Sequence, residues 1–247
     1  MIVTQALVLI PYALRRGVQL DALPEFALND PGAIFFQIAS IIPAHLLTLG
    51  LTWLVVTRAG RYSFFKMLGW EWGKGLGFWR CVGLAVLLYA AGIVILKNSA
   101  TPDNALERLI QSSRAAALAT AFAATITAPL VEELVFRGLL YSALRRWVGE
   151  AWAVAVVVLL FALIHVPQYW PSYGVIATIL LLSFVLTLIR ARTRQLLPCF
   201  IIHLVFNGVQ SALLVLEPYL KSVSEKNPTP APGLLLELIM RLVGAAF

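Results

Sequence analysis

Between Ala115 and Leu144 the chain reads AAALATAFAATITAPLVEELVFRGLLYSAL, an apolar run interrupted by two glutamates and one arginine. About 20 helical residues cross the ~30 Å hydrocarbon layer of a bilayer, so a run of this length predicts a membrane span. Insertion scales place a charged side chain at the centre of such a helix at roughly +2.5 to +3.5 kcal/mol. Glu132, Glu133 and Arg137 therefore need partners that offset this free-energy cost. Because the cost is high, the presence of these charged residues in the span indicates that they have a function.

The whole chain has the composition of a polytopic membrane protein. Of its 247 residues, 60% are hydrophobic and 13% are charged, whereas soluble domains are about half apolar and about one quarter charged. The sequence predicts an all-α membrane helix bundle with about eight transmembrane or membrane-embedded helices, in a single integral membrane domain over residues 1–247. The short first and last segments are either tilted spans or interfacial helices. The predicted segments are Ile2–Leu14, Ala33–Val56, Cys81–Leu96, Ala115–Leu144, Ala151–Val166, Tyr173–Ile189, Leu196–Leu216 and Gly233–Phe247.

The basic residues predict how the chain is oriented in the bilayer. The net charge is +7, but Lys and Arg lie mainly in short connectors and form no basic run with interleaved aromatics, so we expect no nucleic-acid partner. If all eight segments span, ten basic residues fall on one side and seven on the other. We assign the richer side to the cytoplasm, which places both termini there, in the cell membrane. The ten are Arg58, Arg61, Lys66, Lys74, Arg80, Arg145, Arg146, Arg190, Arg192 and Arg194.

Two features of secreted proteins are not expected in this chain. Cys81 and Cys199 both lie inside apolar segments, which disfavours a disulfide framework and a thiol metal site. Met1 is followed directly by an apolar stretch without a basic leader or a small-residue cleavage site. We therefore expect no removable signal peptide.

The charged residues of the quoted stretch have different helical positions. Glu133 and Arg137 are four residues apart, so they share a helix face, with the acid in the favourable N-terminal position. Glu132 lies ~100° around the helix from Glu133. One carboxylate is therefore predicted to be paired with the arginine, while its neighbour stays available.

Two other apolar segments add imidazoles and an amide at the same spacing. Phe161 and His165 are four residues apart, as are His203 and Asn207, so each pair shares a helix face. We expect three helices to direct a carboxylate, two imidazoles and a carboxamide into one cavity. Straight helices on the predicted boundaries would separate His165 from His203 by ~12 Å in depth, so convergence requires tilted or broken helices.

A purely structural interpretation of these residues stays open. Interhelical hydrogen bonds and packing ion pairs occur widely in membrane bundles, and Glu133 with Arg137 fits that description. His45 has no comparable neighbours in the sequence and is predicted to be a satisfied interior or interfacial histidine. Glu237 and Arg241 are four apart in the last segment and are predicted to neutralise each other.

The residue types in the predicted cavity suit peptide hydrolysis. That reaction needs an activated water, a stabilised oxyanion and a proton for the leaving amine. A desolvated carboxylate is suited to act first as a general base and then as an acid, and neutral His and Asn donors stabilise an oxyanion without adding buried charge. A serine nucleophile lacks a Gly-x-Ser-x-Gly motif, and Cys199 has no evident activating charge.

Zinc is the alternative activator of the water. The chain has no His-Glu-x-x-His motif, but Glu132, His165 and His203 from separate helices would match a His₂Glu ligand set. We nevertheless favour no cofactor. Zinc-bound histidines are normally held by carboxylates or carbonyls, and of the two carboxylates near the motifs, Glu133 is predicted to be engaged by Arg137.

These motifs resemble those of the CPBP family, which comprises the type II CAAX prenyl endopeptidases and the bacteriocin-processing or self-immunity membrane proteins. The resemblance covers a motif-bearing core of roughly residues 115–216, and the first 114 residues show only generic hydrophobicity. The matching pieces, in the family order, are Glu132-Glu133-x-x-x-Arg137, Phe161-x-x-x-His165 and His203-x-x-x-Asn207.

The resemblance implies a role for each matching residue. Glu132 would activate the water and His165 would help to bind it, while His203 and Asn207 would form the oxyanion hole. The family has been described both as metalloproteases and as glutamate proteases, so the zinc question stays open. The residues implied to support the architecture are Glu133 and Arg137.

The sequence thus predicts an intramembrane endopeptidase. Its expected partners are the lipid bilayer and a membrane protein or lipidated peptide substrate, with a prenylated CAAX-type tail among the candidates. Two other classes stay open: a non-catalytic immunity or scaffold protein of the same fold, and a transporter or proton relay, in which intramembrane Glu and His also occur. The lack of an evident inverted repeat disfavours the transporter.

Overall fold

The structure, a computed structural model, describes residues 2–73, 75–97, 99 and 114–226. Over these residues the chain is helical and contains no strand, which confirms the predicted all-α fold. A short 3₁₀ turn, Leu20–Ala22, follows the first helix. The helices of the described residues are α1 (Ile2–Arg15), α2 (Leu23–Asn29), α3 (Pro31–Thr57), α4 (Phe64–Leu68), α5 (Phe78–Lys97), α6 (Arg114–Val148), α7 (Glu150–Tyr169), α8 (Tyr173–Thr193) and α9 (Leu197–Lys226).

Five of these helices, α3 and α5 to α8, are long and apolar enough to cross a membrane, and α9 adds a shorter apolar stretch, Leu197–Leu213. All six coincide with predicted segments, although α9 continues to Lys226, beyond its predicted end. The chain is therefore an integral membrane protein. The last predicted segment, Gly233–Phe247, lies outside the described residues, and the cytoplasmic side stays a prediction.

Polar contacts in the N-terminal region fix where α3 starts. Asp30 Oδ1 accepts a hydrogen bond from the Ala33 N–H at 2.8 Å, and Pro31 occupies the first helical position, where its missing N–H is not needed. This bond lowers the pKa of the Asp30 carboxyl below its ordinary value. Tyr12 of α1 donates to the same oxygen at 3.0 Å, which joins α1 to the start of α3.

Helix α6 departs from regular α-helical geometry in two places. The stretches Ala123–Thr127 and Glu133–Leu140 are π-helical, and Pro129, which has no N–H to donate, lies between them. A π-turn contains more residues than an α-turn, and such stretches occur frequently at functional sites. Side chains on either side of each stretch therefore point in directions that α-helical spacing does not predict. Glu132 lies between the two stretches.

Two apolar clusters hold the neighbouring helices against α6 and α9. Packing of this kind, together with interhelical hydrogen bonds, drives helix association in a bilayer. The first cluster joins α5, α8 and α9 and includes Cys81, Leu88, Leu186, Cys199 and Ile202. The second joins α6, α7 and α8 and includes Phe136, Tyr141, Val157, Phe161 and Ala191.

The prediction that Arg190 lies in a connecting loop is wrong. Arg190 belongs to α8 and is buried. Its guanidinium donates to the carbonyls of Leu68 at 2.9 Å and Arg137 at 3.1 Å, and also to the carbonyl of Arg194. Arginine suits this position because its planar group presents several donors in fixed directions. The end of α8 is thereby joined to α4 and to the second π-helical stretch of α6.

The same contacts explain why the expected depth difference between His165 and His203 does not keep them apart. Arg190 reaches the carbonyl of Arg137, and the Leu196 N–H donates to the Gly69 carbonyl at 2.8 Å, so α9 starts near the level of Arg137. Helix α6 continues past that level to Val148 before α7 begins. The α6–α7 connection therefore lies farther out along the helix axes than the α8–α9 connection. Because α7 and α9 start at different depths, His165 and His203 can meet although they lie at different distances from the starts of their helices.

Replacing Arg190 should destabilise the bundle. Arg190→Met removes the donor from two buried carbonyls, those of Leu68 and Arg137, and each unsatisfied buried group typically costs ~1–3 kcal/mol. We expect the thermal unfolding midpoint in detergent to fall by several degrees, because ~1 kcal/mol corresponds to about 2–4 °C in a chain of this size. Arg192→Met, at an exposed position two residues away, is the matched control and should leave the midpoint unchanged. Equal midpoints for the two variants would contradict the structural role of Arg190.

Candidate active site

Adjacent glutamates of α6 lie in different environments. The side chain of Glu133 is completely buried, whereas that of Glu132 is 22% exposed. Glu133 begins the second π-helical stretch, which widens the helix at this point. One carboxylate therefore points into the bundle, and the other lies where α7 and α9 approach α6.

Glu133 and Arg137 form a buried ion pair, as their spacing predicts. Arg137 Nη1 lies 2.9 Å from Glu133 Oε1, and both side chains are completely buried. Helix α8 supplies the other acceptors: Arg137 Nε donates to Thr187 Oγ1 at 3.2 Å, and Nη2 donates to Ser183 Oγ at 2.8 Å. The guanidinium carbon also lies 4.4 Å from the ring centroid of Phe161, which is a cation–π distance.

Glu133 has a second partner, which the sequence did not predict. The same Oε1 atom accepts a hydrogen bond from His203 Nδ1 at 2.8 Å. A carboxylate only accepts, so the His203 ring carries a proton on Nδ1. The buried carboxylate of α6 therefore pairs with Arg137 in its own helix and also fixes the orientation of the α9 imidazole.

His165 is oriented by its own helix. Its Nδ1 lies 2.7 Å from the carbonyl oxygen of Phe161, and a carbonyl only accepts, so Nδ1 again carries the proton. The His165 ring packs on Phe161, with centroids 4.8 Å apart, and stacks on Tyr169 at 6.4 Å. The spacing of Phe161 and His165 predicted a shared face, but not that the backbone carbonyl of Phe161 would fix the tautomer of the imidazole.

The remaining nitrogens of both imidazoles face Glu132. His165 Nε2 lies 3.8 Å from Glu132 Oε1, and His203 Nε2 lies 3.7 Å from Glu132 Oε2. Both separations exceed the usual 2.7–3.2 Å of a direct N–H···O hydrogen bond, so neither imidazole is hydrogen-bonded directly to Glu132. Glu132, His165 and His203 therefore meet, as the sequence predicts.

Asn207 makes a different contact. Its Nδ2 donates to the carbonyl of Ala124 at 2.9 Å, within the first π-helical stretch of α6. Asn207 thus joins α9 to α6 about two turns before Glu132 along the helix. Its predicted role as an oxyanion donor stays a prediction.

The donor atoms allow a test of the zinc alternative. Both histidines have Nδ1 held by a carbonyl or a carboxylate, which is the support that zinc-bound histidines normally have. The premise that pairing with Arg137 leaves Glu133 unable to hold a histidine is therefore wrong. However, the described part of the chain contains no group of three His, Cys, Asp or Glu side chains arranged to hold a metal ion. The donor atoms therefore fit zinc in their chemistry, although the described residues do not present three of them as a preformed ligand set, and the expectation that no metal is needed stays a prediction.

Comparison with known proteins identifies the region that carries this site. Residues 114–209 match the family model for type II CAAX prenyl endopeptidase Rce1-like proteins, a region that includes α6 to α8 and the start of α9. Searches of curated proteins and of solved structures found no match. This match over residues 114–209 supports the resemblance of the chain to the CPBP intramembrane proteases.

Proposed function

We propose that this protein is an intramembrane endopeptidase in which Glu132 activates the water that attacks the peptide bond. The observation that carries the proposal is the approach of two imidazole Nε2 atoms to within 3.8 Å of one partly exposed carboxylate, in the middle of an apolar bundle. A packing arrangement would not need both nitrogens to face the same carboxylate. The family match supports a protease of the CAAX type in general.

The separations around Glu132 support a single bound water as the nucleophile. A water between Glu132 and His165 can donate one proton to the carboxylate and the other to the imidazole Nε2 lone pair. Glu132 removes the first proton while the water oxygen bonds to the carbonyl carbon of the substrate. When the carbon–nitrogen bond breaks, Glu132 returns this proton to the leaving amine, so no further acid is needed.

His203 is suited to stabilise the oxyanion. Because its Nδ1–H is directed to Glu133, a donor towards the substrate must be a proton on Nε2. A carboxylate behind an imidazole stabilises the imidazolium form, as in serine-protease triads. Glu132, Glu133, Arg137 and His203 would then carry two negative and two positive charges, which offsets their desolvation. This role differs from the neutral donor that the sequence suggested.

Asn207 and Arg137 have supporting roles in this proposal. One of the two Asn207 Nδ2 hydrogens is directed to Ala124, and the other is free to serve as the second oxyanion donor that the resemblance implies. Arg137 holds the Glu133 carboxylate in place, so that Glu133 can orient His203. The substrate we propose is a membrane-embedded or membrane-proximal peptide, with lipidated CAAX-type tails as the first candidates because of the family match.

A zinc-dependent form of the same peptidase is the second candidate. The orientation of His165 and His203, with Nδ1 held and Nε2 facing Glu132, is the observation that favours it. These three side chains would hold the ion, which would supply Lewis-acid activation of the water. The lack of a three-ligand arrangement among the described residues is why we propose the glutamate mechanism first.

Removing the proposed base should abolish cleavage without unfolding the protein. Glu132→Gln keeps the shape of the side chain, and neutralising a carboxylate does not oppose membrane insertion. Cleavage of a peptide library in detergent, read by mass spectrometry, should fall by ~10²-fold or more, with an unchanged thermal midpoint.

The matched control for this substitution is Glu150→Gln. Glu150 is an exposed glutamate of α7 that pairs with Arg194 at 3.1 Å, and surface changes of this kind typically alter free energies by less than ~0.5 kcal/mol. The control should cleave like wild type. Turnover of Glu132→Gln above roughly a tenth of the wild-type value would exclude Glu132 as the base, since a general base contributes at least ~10²-fold.

Metal removal should leave activity nearly intact. Prolonged dialysis against a chelator, followed by measurement of zinc content and peptide cleavage, separates the two candidate mechanisms. The glutamate mechanism is excluded if peptide cleavage disappears on chelation and returns when stoichiometric zinc is added. In that case Glu132, His165 and His203 become the ligands.

A further inference from the structure

The third histidine of the chain also lies beside the site. The sequence has three histidines, of which His165 and His203 face Glu132. His45 belongs to α3, before the first residue of the family match, and is buried. Its Nδ1 lies 2.8 Å from Thr127 Oγ1. As predicted, His45 is a satisfied interior histidine, but its partner is the first π-helical stretch of α6.

The direction of this hydrogen bond follows from the other contact of Thr127. Thr127 Oγ1 donates to the carbonyl of Ala123 at 3.3 Å, and a hydroxyl has only one hydrogen to give. Both bonds coexist only if the His45 Nδ1–H donates to Thr127 Oγ1. All three histidines therefore have Nδ1 as the anchored donor.

His45 of α3 and Asn207 of α9 both contact the first π-helical stretch of α6. The carbonyl of Ala124 accepts from Asn207 of α9, and Thr127 accepts from His45 of α3. The stretch is Ala123–Thr127, and Glu132 lies five residues after its end. These two side chains thus join α3 and α9 to the segment that leads directly to the proposed base.

We propose that His45 is a positioning residue for the peptidase reaction, which acts by holding the π-helical stretch Ala123–Thr127 and thereby the location of Glu132. The inference rests on the proposed function. If the stretch relaxed to a regular α-helix, the helix on one side would rotate by ~100° and shift by ~1.5 Å relative to the other. Displacements of about 1 Å in an active site can lower turnover ~10²-fold.

A direct catalytic role for His45 is the alternative that the test must separate. His45 lies close enough to Glu132 for the two groups to interact electrostatically. A catalytic role would use Nε2, whereas the positioning role uses only Nδ1–H. Substitution of His45 by Asn or Gln separates the two roles. The side-chain nitrogen of Asn takes the place of Nδ1, whereas the side-chain nitrogen of Gln reaches the place of Nε2.

The test compares His45→Asn with His45→Gln in the full-length protein in detergent. His45→Asn keeps the donor to Thr127 and should retain kcat within ~3-fold, whereas His45→Gln should lower kcat by ~10-fold or more with little change in KM. Hydrogen exchange of the amides of residues 123–132, measured by mass spectrometry, should accelerate in His45→Gln and not in His45→Asn.

Thr127 provides a second pair of variants in case His45→Gln does not fold. Thr127→Val removes the acceptor and should reproduce the loss of kcat and the faster exchange, while Thr127→Ser should behave like wild type. The double variant His45→Gln/Thr127→Val should be no worse than either single variant, because both remove one shared interaction.

Three outcomes overturn the inference. A loss of kcat in His45→Asn that equals or exceeds the loss in His45→Gln shows that a donor at the Nδ1 position does not carry the effect, and unchanged kcat and exchange in His45→Gln and Thr127→Val shows that the contact does not position the helix. A lower thermal midpoint with unchanged kcat shows a structural role alone. If the wild-type protein cleaves no peptide, the proposed function fails, and the exchange measurement still decides whether His45 holds the π-helical stretch.

Discussion

A guanidinium group enclosed in an apolar bundle must have its charge and its donors satisfied by the helices around it. Arg137 meets this constraint with Glu133 of its own helix, with Ser183 and Thr187 of α8, and with the ring of Phe161 in α7. Breaking a buried pair of this kind typically costs ~3–5 kcal/mol. One side chain of α6 therefore contacts both α7 and α8 and adds to the apolar packing that positions them.

The same constraint separates the roles of two neighbouring carboxylates. Glu133 is committed to Arg137 and His203, so it is not available to a substrate. Glu132, one residue earlier, is partly exposed and faces two imidazole nitrogens. Adjacent carboxylates in different environments are a common way to obtain different chemistry from one residue type. The proposed mechanism follows from this division of roles.

Helical spacing was sufficient to predict the apolar segments, the Glu133–Arg137 pair and the meeting of Glu132 with two histidines, because these depend on periodicity and on the cost of buried charge. It did not predict contacts between distant segments that involve hydroxyls or carbonyls. The bond from His45 to Thr127 and the burial of Arg190 against Leu68 are of this kind. The π-helical stretches of α6 were also missed, because the 3.6-residue period assumes a regular helix.

The histidine tautomers provide the most direct measurement of the buried Glu133 network. With ¹⁵N-labelled histidine, the chain gives signals from three imidazoles, and His45→Asn removes one of them for assignment. We expect a protonated Nδ1 in His203, with a ¹⁵N chemical shift that changes in Glu133→Gln while the shifts of His45 and His165 stay in place. A His203 ring with an unprotonated Nδ1, or one that does not respond to Glu133→Gln, would contradict the account.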